Sequence, residues 1–115
     1  MKVRFQGNSV RFRLKQSEVA ALAEGRAIED HCELPVTPLR FRIQPGVPTF
    51  TDVPGFLLLT AEEPVLRAWA LSDEVGITIP YGNLHVLVEK DFHCLDASDP
   101  AENEDSFPHP GLTCQ

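Results

Sequence analysis

Residues 2–14 read KVRFQGNSVRFRL. Val3 and Phe5 alternate with Lys2, Arg4 and Gln6, and Val10, Phe12 and Leu14 alternate with Arg11 and Arg13. A period of two marks a strand with one buried face. Between the runs stands Gly7-Asn8, a pair suited to a two-residue turn with Gly at its first central position. Such a turn fixes the register. Gln6 is expected opposite Ser9, Phe5 opposite Val10, Arg4 opposite Arg11, Val3 opposite Phe12 and Lys2 opposite Arg13. One face of the predicted hairpin is apolar and belongs in a core. The other stacks Lys2, Arg4, Arg11 and Arg13.

Beyond the hairpin, Ser17 is a candidate N-cap, with Glu18 in the first helical turn, where the helix dipole favours an acid. Val19, Leu22 and Ala23 form a short apolar stripe, and Gly25 is placed to end the helix. Residues 27–34 read as a strand, with Ile28, Cys32 and Leu34 on one face and Glu29, His31 and Glu33 on the other. Asp30 interrupts the apolar face. Pro35 and Pro38 break the chain, and 39–44 alternates strongly. The loop 45–54 leaves room for a short edge strand at 49–52. Residues 56–61 form a continuous apolar run, as in a buried strand. Pro64, after two acids, suits the first turn of a second short helix, with Val65, Leu66, Trp69 and Ala70 inward. Segments 77–80 and 84–89 predict a last hairpin around Tyr81-Gly82-Asn83.

These elements predict an α+β fold, a mainly antiparallel sheet of about six or seven strands with two short helices on one face. Phe5, Phe12, Leu22, Phe41, Ile43, Leu57, Leu59, Trp69, Leu87 and Phe92 are the expected core. No internal repeat is visible. Residues 1–95 read as one domain and 96–115 as an acidic, Pro-containing tail. Composition alone makes that tail disordered. Yet 96–105 carries Asp96, Asp99, Glu102, Glu104 and Asp105 without a base, while residues 1–15 carry five bases and no acid. With Phe107 as an apolar anchor, the tail is expected to dock on the domain.

Several stretches together resemble a small uncharacterised bacterial family, a domain of unknown function. They are MKVRFQGNSVRFRLKQSEVAAL (1–22), WALSDEVGI (69–77), LHVLVEKDFHCLD (84–96) and EDSFPHP (104–110). The distinctive part is the VEKDFxCL segment, matched by Glu89, Lys90, Asp91, Phe92, Cys94 and Leu95. His93 and His109 stand where the family has other residue types. The resemblance implies a bacterial origin and brings no catalytic residue with it.

Composition narrows the function classes. A net charge of −7 argues against general affinity for nucleic acid, whose phosphates repel an anion. No apolar run approaches the ~20 residues of a membrane span, and three cysteines make no disulfide framework. The expectation is a cytoplasmic protein without cofactor, its oligomeric state open. Phosphate-loop, dinucleotide, hydrolase-elbow and zinc-helix signatures are missing. His31-Cys32 and His93-Cys94 are two candidate metal-ligand pairs, but in a strand over 27–34 His31 and Cys32 point to opposite faces and cannot share one ion. The expectation is no metal, with Cys32 and Cys94 as small core residues. The triplet Glu89, Lys90 and Asp91 is a possible charged cluster, read more simply as a solvated strand end.

The basic strand faces carry the strongest signal. Arg4 across from Arg11, and Lys2 across from Arg13, oppose like charges and need something negative. One supply is internal, with Glu29, His31 and Glu33 on an acidic strand between basic ones. The other is an external anion held by Arg4, Arg11, Arg13, Arg40 and Arg42. The function expected is therefore a non-enzymatic binding module for an anionic ligand or protein partner, with no membrane partner. The alternative is a small enzyme or binding protein for a phosphate-bearing ligand, like the tunnel-type triphosphate enzymes. The chain lacks their N-terminal Glu-x-Glu-x-Lys signature.

Overall fold

The first hairpin forms in the expected register, from Lys2 opposite Arg13 to Gln6 opposite Ser9. Gly7, at φ +54°, supplies the left-handed backbone that its two-residue turn requires. The computed structural model describes residues 1–92 and Phe107. In chain order the elements are β1 (Lys2–Gln6), β2 (Ser9–Leu14), α1 (Gln16–Ala23), β3 (Ile28–Cys32), β4 (Leu39–Pro45) and β5 (Thr49–Val53). Then follow β6 (Phe56–Ala61), α2 (Glu63–Ala70), β7 (Gly76–Tyr81) and β8 (Leu84–Lys90).

The strands build two four-stranded sheets, in the orders β1-β2-β8-β7 and β3-β4-β6-β5. Each sheet joins two antiparallel hairpins through a parallel pair at its centre, β2 with β8 and β4 with β6. Among the described residues, the expected count of six or seven strands and the mainly antiparallel sheet are thus corrected to eight strands in two mixed sheets. The antiparallel hairpins were visible in the alternation; the parallel seams were not, because they join strands far apart in sequence.

The two halves of the chain share one plan. β1, β2 and α1 begin at residues 2, 9 and 16, and β5, β6 and α2 begin 47 residues later, at 49, 56 and 63. The seams agree. His85 N–H donates to the Asn8 carbonyl (3.0 Å) and Asp91 N–H to the Leu14 carbonyl (2.8 Å). In the other sheet, Arg40 N–H donates to the Gly55 carbonyl and Gly46 N–H to the Ala61 carbonyl, both at 2.9 Å. Each half is a β-β-α-β-β unit, and each sheet takes one hairpin from each half. The fold therefore does contain an internal repeat. The sequence hides it because equivalent positions, such as Phe12 and Leu59 or Leu22 and Trp69, share only apolar character.

One core unites both sheets and both helices: Val10, Phe12, Leu14, Val86 and Val88 from the first sheet, Ile28, Ile43, Leu59 and Ala61 from the second, and Val19, Leu22, Leu66 and Trp69 from the helices. Five expected core residues, Phe12, Leu22, Ile43, Leu59 and Trp69, are buried. Phe41, Leu57 and Phe92 are half-buried. Phe5 is 56% exposed, because β1 is an edge strand and its far end overhangs the core. Leu87 is half-buried in register with Arg11, on the basic face. Cys32 is exposed at the end of edge strand β3 rather than in the core. Asp30, which interrupted the apolar pattern of β3, accepts a hydrogen bond from the terminal ammonium of Met1 (3.2 Å).

Candidate functional site

Strand alternation carries Lys2, Arg4 and Gln6 of β1 and Ser9, Arg11 and Arg13 of β2 to the outer face of the first sheet. The parallel seam sets His85, Leu87 and Glu89 of β8 beside Ser9, Arg11 and Arg13. Three rows cross the face: Lys2-Arg13-Glu89, Arg4-Arg11-Leu87 and Gln6-Ser9-His85. Over the last two lies an open cleft of about 430 Å³, lined by Arg4, Gln6, Ser9, Arg11 and Leu87. This volume is within the range that takes a small ligand.

The charges of the face are partly answered from within the chain. Glu89 Oε1 lies 2.9 Å from Arg11 Nε, and Asp91 Oδ2 lies 3.0 Å from Lys2 Nζ. Arg4 and Arg13 form no ion pair among the described residues. Among the described residues two carboxylates thus face four cations, which leaves a positive excess next to Arg4. The acidic strand expected beside the basic hairpin lies elsewhere. β3 pairs with β4 in the second sheet, and the hairpin's neighbour is β8.

Arg40 and Arg42 belong to that second sheet and are not brought together with Arg4, Arg11 and Arg13. Glu29 stands opposite Arg42, with Arg40 Nη2 2.8 Å and Arg42 Nη1 3.6 Å from its Oε1. The hydrogen bond from Arg40, outweighing any burial, lowers the Glu29 pKa. Arg40 also stacks over the Phe56 ring at 4.9 Å, and Arg42 Nε donates to Gln44 Oε1 at 3.0 Å. Here internal acid and base pair across the strands.

The triplet at the end of β8 divides. Glu89 turns to the outer face and Arg11. Lys90 turns inward, 7% exposed, where Nζ donates to the Ser72 carbonyl (2.5 Å) and lies over the rings of Trp69 (5.6 Å) and Phe107 (5.9 Å). Asp91 is 5% exposed and holds Lys2. Glu89 and Asp91 thus meet cations of the basic hairpin, while Lys90 turns into the core. Among the described residues no group of three or more His, Cys, Asp or Glu side chains is placed to hold a metal ion. No helix among them is long and apolar enough to cross a membrane.

Phe107 N–H donates to the Asp91 carbonyl at 2.8 Å, and its ring meets Phe92 with centroids 5.6 Å apart. It packs half-buried against the core. The acids of 96–105, the 95/96 boundary, and His93, Cys94, His109 and Cys114 lie outside the described residues.

Sequence reasoning placed Arg4 across from Arg11 but missed Ser9, Gln6 and Leu87 as cleft lining. Gln6 and Ser9 were legible as the pair closing the turn. Leu87 was not, because an apolar residue in an apolar run reads as core. No curated protein and no solved structure matches the chain. The sequence pattern of a family of unknown function, DUF7009, matches residues 1–111, and the chain belongs to that family.

Proposed function

We propose that this is a bacterial, cytoplasmic binding domain, and that its ligand is an anion taken up on the outer face of the first sheet. The observation that carries the reading is Arg4, across from Arg11 at an open cleft and without a carboxylate partner among the described residues. Two guanidinium groups side by side repel, and a carboxylate or phosphate between them relieves that repulsion with charge-assisted, bidentate hydrogen bonds. Ser9 and Gln6 add uncharged donors, and Leu87 gives the ligand an apolar contact. A binding function, rather than catalysis, is favoured by the division of Glu89, Lys90 and Asp91 between two faces. Cys32, exposed and free, suits a reducing compartment.

Titration calorimetry with sodium tripolyphosphate tests the reading. Binding is expected to weaken between about 50 and about 300 mM salt, as screening of exposed charges requires. Arg4→Ala is expected to weaken it at least about tenfold, while Arg26→Ala, on an exposed turn with Glu24 as its partner, leaves it unchanged. Equal affinity in the wild type and Arg4→Ala would rule out this face.

A further inference from the structure

The cleft adjoins the outer edge of β1, which among the described residues pairs with β2 alone. In a hairpin closed by a two-residue turn, alternate residue pairs exchange both hydrogen bonds. Here those pairs are Gln6-Ser9, Arg4-Arg11 and Lys2-Arg13. Val3 and Phe5 therefore turn their backbone N–H and C=O groups to the open edge. Among the described residues no backbone bond outside the strand ladders takes them up. The side chains at this edge sort cleanly by face. Lys2 and Arg4 stand on the outer face, and Phe5, 56% exposed, stands on the inner one beside Val3.

We infer that the anion recognised here is the side chain of an extended peptide of a partner protein, which adds to β1 as a further strand. The inference rests on the anion-binding reading of the same face and names its ligand. An added strand places its own side chains alternately on the two faces. Acidic residues at every second position then meet Lys2 and Arg4, and the apolar residues between them cover Phe5 and Val3. A basic edge alone is explained as protection against aggregation. An exposed phenylalanine on that same edge works against such protection, and the two together fit a segment alternating acid with apolar residue. A second copy of β1 does not fit. Centred antiparallel pairing sets Arg4 against Arg4, with no carboxylate from either strand.

Two synthetic peptides of about seven residues test the inference. One alternates Glu with Val; the other has the same composition with its glutamates consecutive. Tripolyphosphate serves as the small anion. The alternating peptide is expected to bind at least about tenfold more tightly than its control. Phe5→Ala is expected to weaken peptide binding about tenfold and to leave tripolyphosphate binding unchanged, which also shows that the variant is folded. Amide exchange at Val3 and Phe5 should be fast in the free protein and slow in the complex. Equal binding of the two peptides, or tripolyphosphate binding without peptide binding, overturns the inference and leaves the anion site standing. Slow exchange at Val3 and Phe5 in the free protein also overturns it, because a segment of the chain itself then covers the edge. Loss of binding to every probe removes both readings.

Discussion

Lys90 keeps its ammonium inside the protein without a carboxylate beside it among the described residues. A carbonyl and two aromatic faces stand in, which is the environment that cation–π attraction favours once water is excluded. The Phe107 ring is one of those faces, so Lys90 helps to hold Phe107. Phe12, fully buried between the sheets, tests the core directly. Phe12→Ala is expected to cost ~3–5 kcal/mol in urea unfolding; a loss below about 1 kcal/mol would contradict its central place. Asp30 tests the electrostatics. Burial alone would raise its pKa, but the His31 backbone N–H and the terminal ammonium outweigh it, and the pKa is lowered. A lowered carboxyl pKa gives stability that is full above the unfolded value of about 4 and is lost as pH falls through the folded value. Asp30→Asn is therefore expected to be less stable than the wild type at neutral pH, with the gap narrowing at acid pH as the carboxylate is protonated. A gap of constant size at both pH values would show that the charge is not the cause. Asp30 and Cys32 also mark the limit of reading single residues. Alternation assigned both to the apolar face of β3, but an edge position decides exposure, and edges are set by the partner strand.

At the scale of elements, α1 ends as the sequence suggested. Gly25 takes φ +79°, with Arg26 N–H bonded to the Ala21 carbonyl (2.9 Å) and Gly25 N–H to that of Leu22 (3.0 Å). A side chain is strained in that left-handed conformation, so Gly25→Ala is expected to cost ~1–2 kcal/mol, read as a lower melting temperature. An unchanged melting temperature would show the helix end to be uncritical. Its start was misplaced by two residues. Lys15, not Ser17, is the N-cap, and the Glu18 carboxylate accepts from the Lys15 backbone N–H at 2.9 Å. Capping preference favours Ser, but here the acid three residues on does the capping. The second helix was legible from Pro64 in its first turn. Arg67 of that helix ties it to the first, with Nε donating to the Ala23 carbonyl at 3.1 Å. Pro80, without an N–H, sits on β7, an edge strand where no ladder bond is lost.

For the whole molecule, the exchange of hairpins makes each half incomplete. Residues 1–46 hold half of each sheet, and so does the second half. Neither is expected to fold alone, since each leaves its central strand without a parallel partner. Mixed together, the two should recover the native circular dichroism and a cooperative melt. The joint between them is open to cutting, as Val47 is 80% exposed between β4 and β5. A folded, monomeric first half in isolation would contradict this dependence. The hairpins were legible because a two-residue turn and alternation are local. The two-sheet arrangement was not, because nothing in the pattern of β2 distinguishes β8 from any other apolar strand as its neighbour.

The seam between β2 and β8 also sets an order of events during synthesis. Ser9 pairs with His85, 76 residues later, while β4 and β6 pair across only 16, from Arg40 to Phe56. Loop closure favours the near pair, so the second sheet is expected to close first. At ~5–20 residues per second the ribosome needs about 4–15 s to follow Ser9 with His85. Through that interval Val10, Phe12 and Leu14 wait on a finished hairpin without the neighbouring strand that completes their sheet. The nascent chain is then most exposed to chaperones and to aggregation, and the charges of Lys2, Arg4, Arg11 and Arg13 on the opposite face keep it apart from its neighbours until β8 arrives.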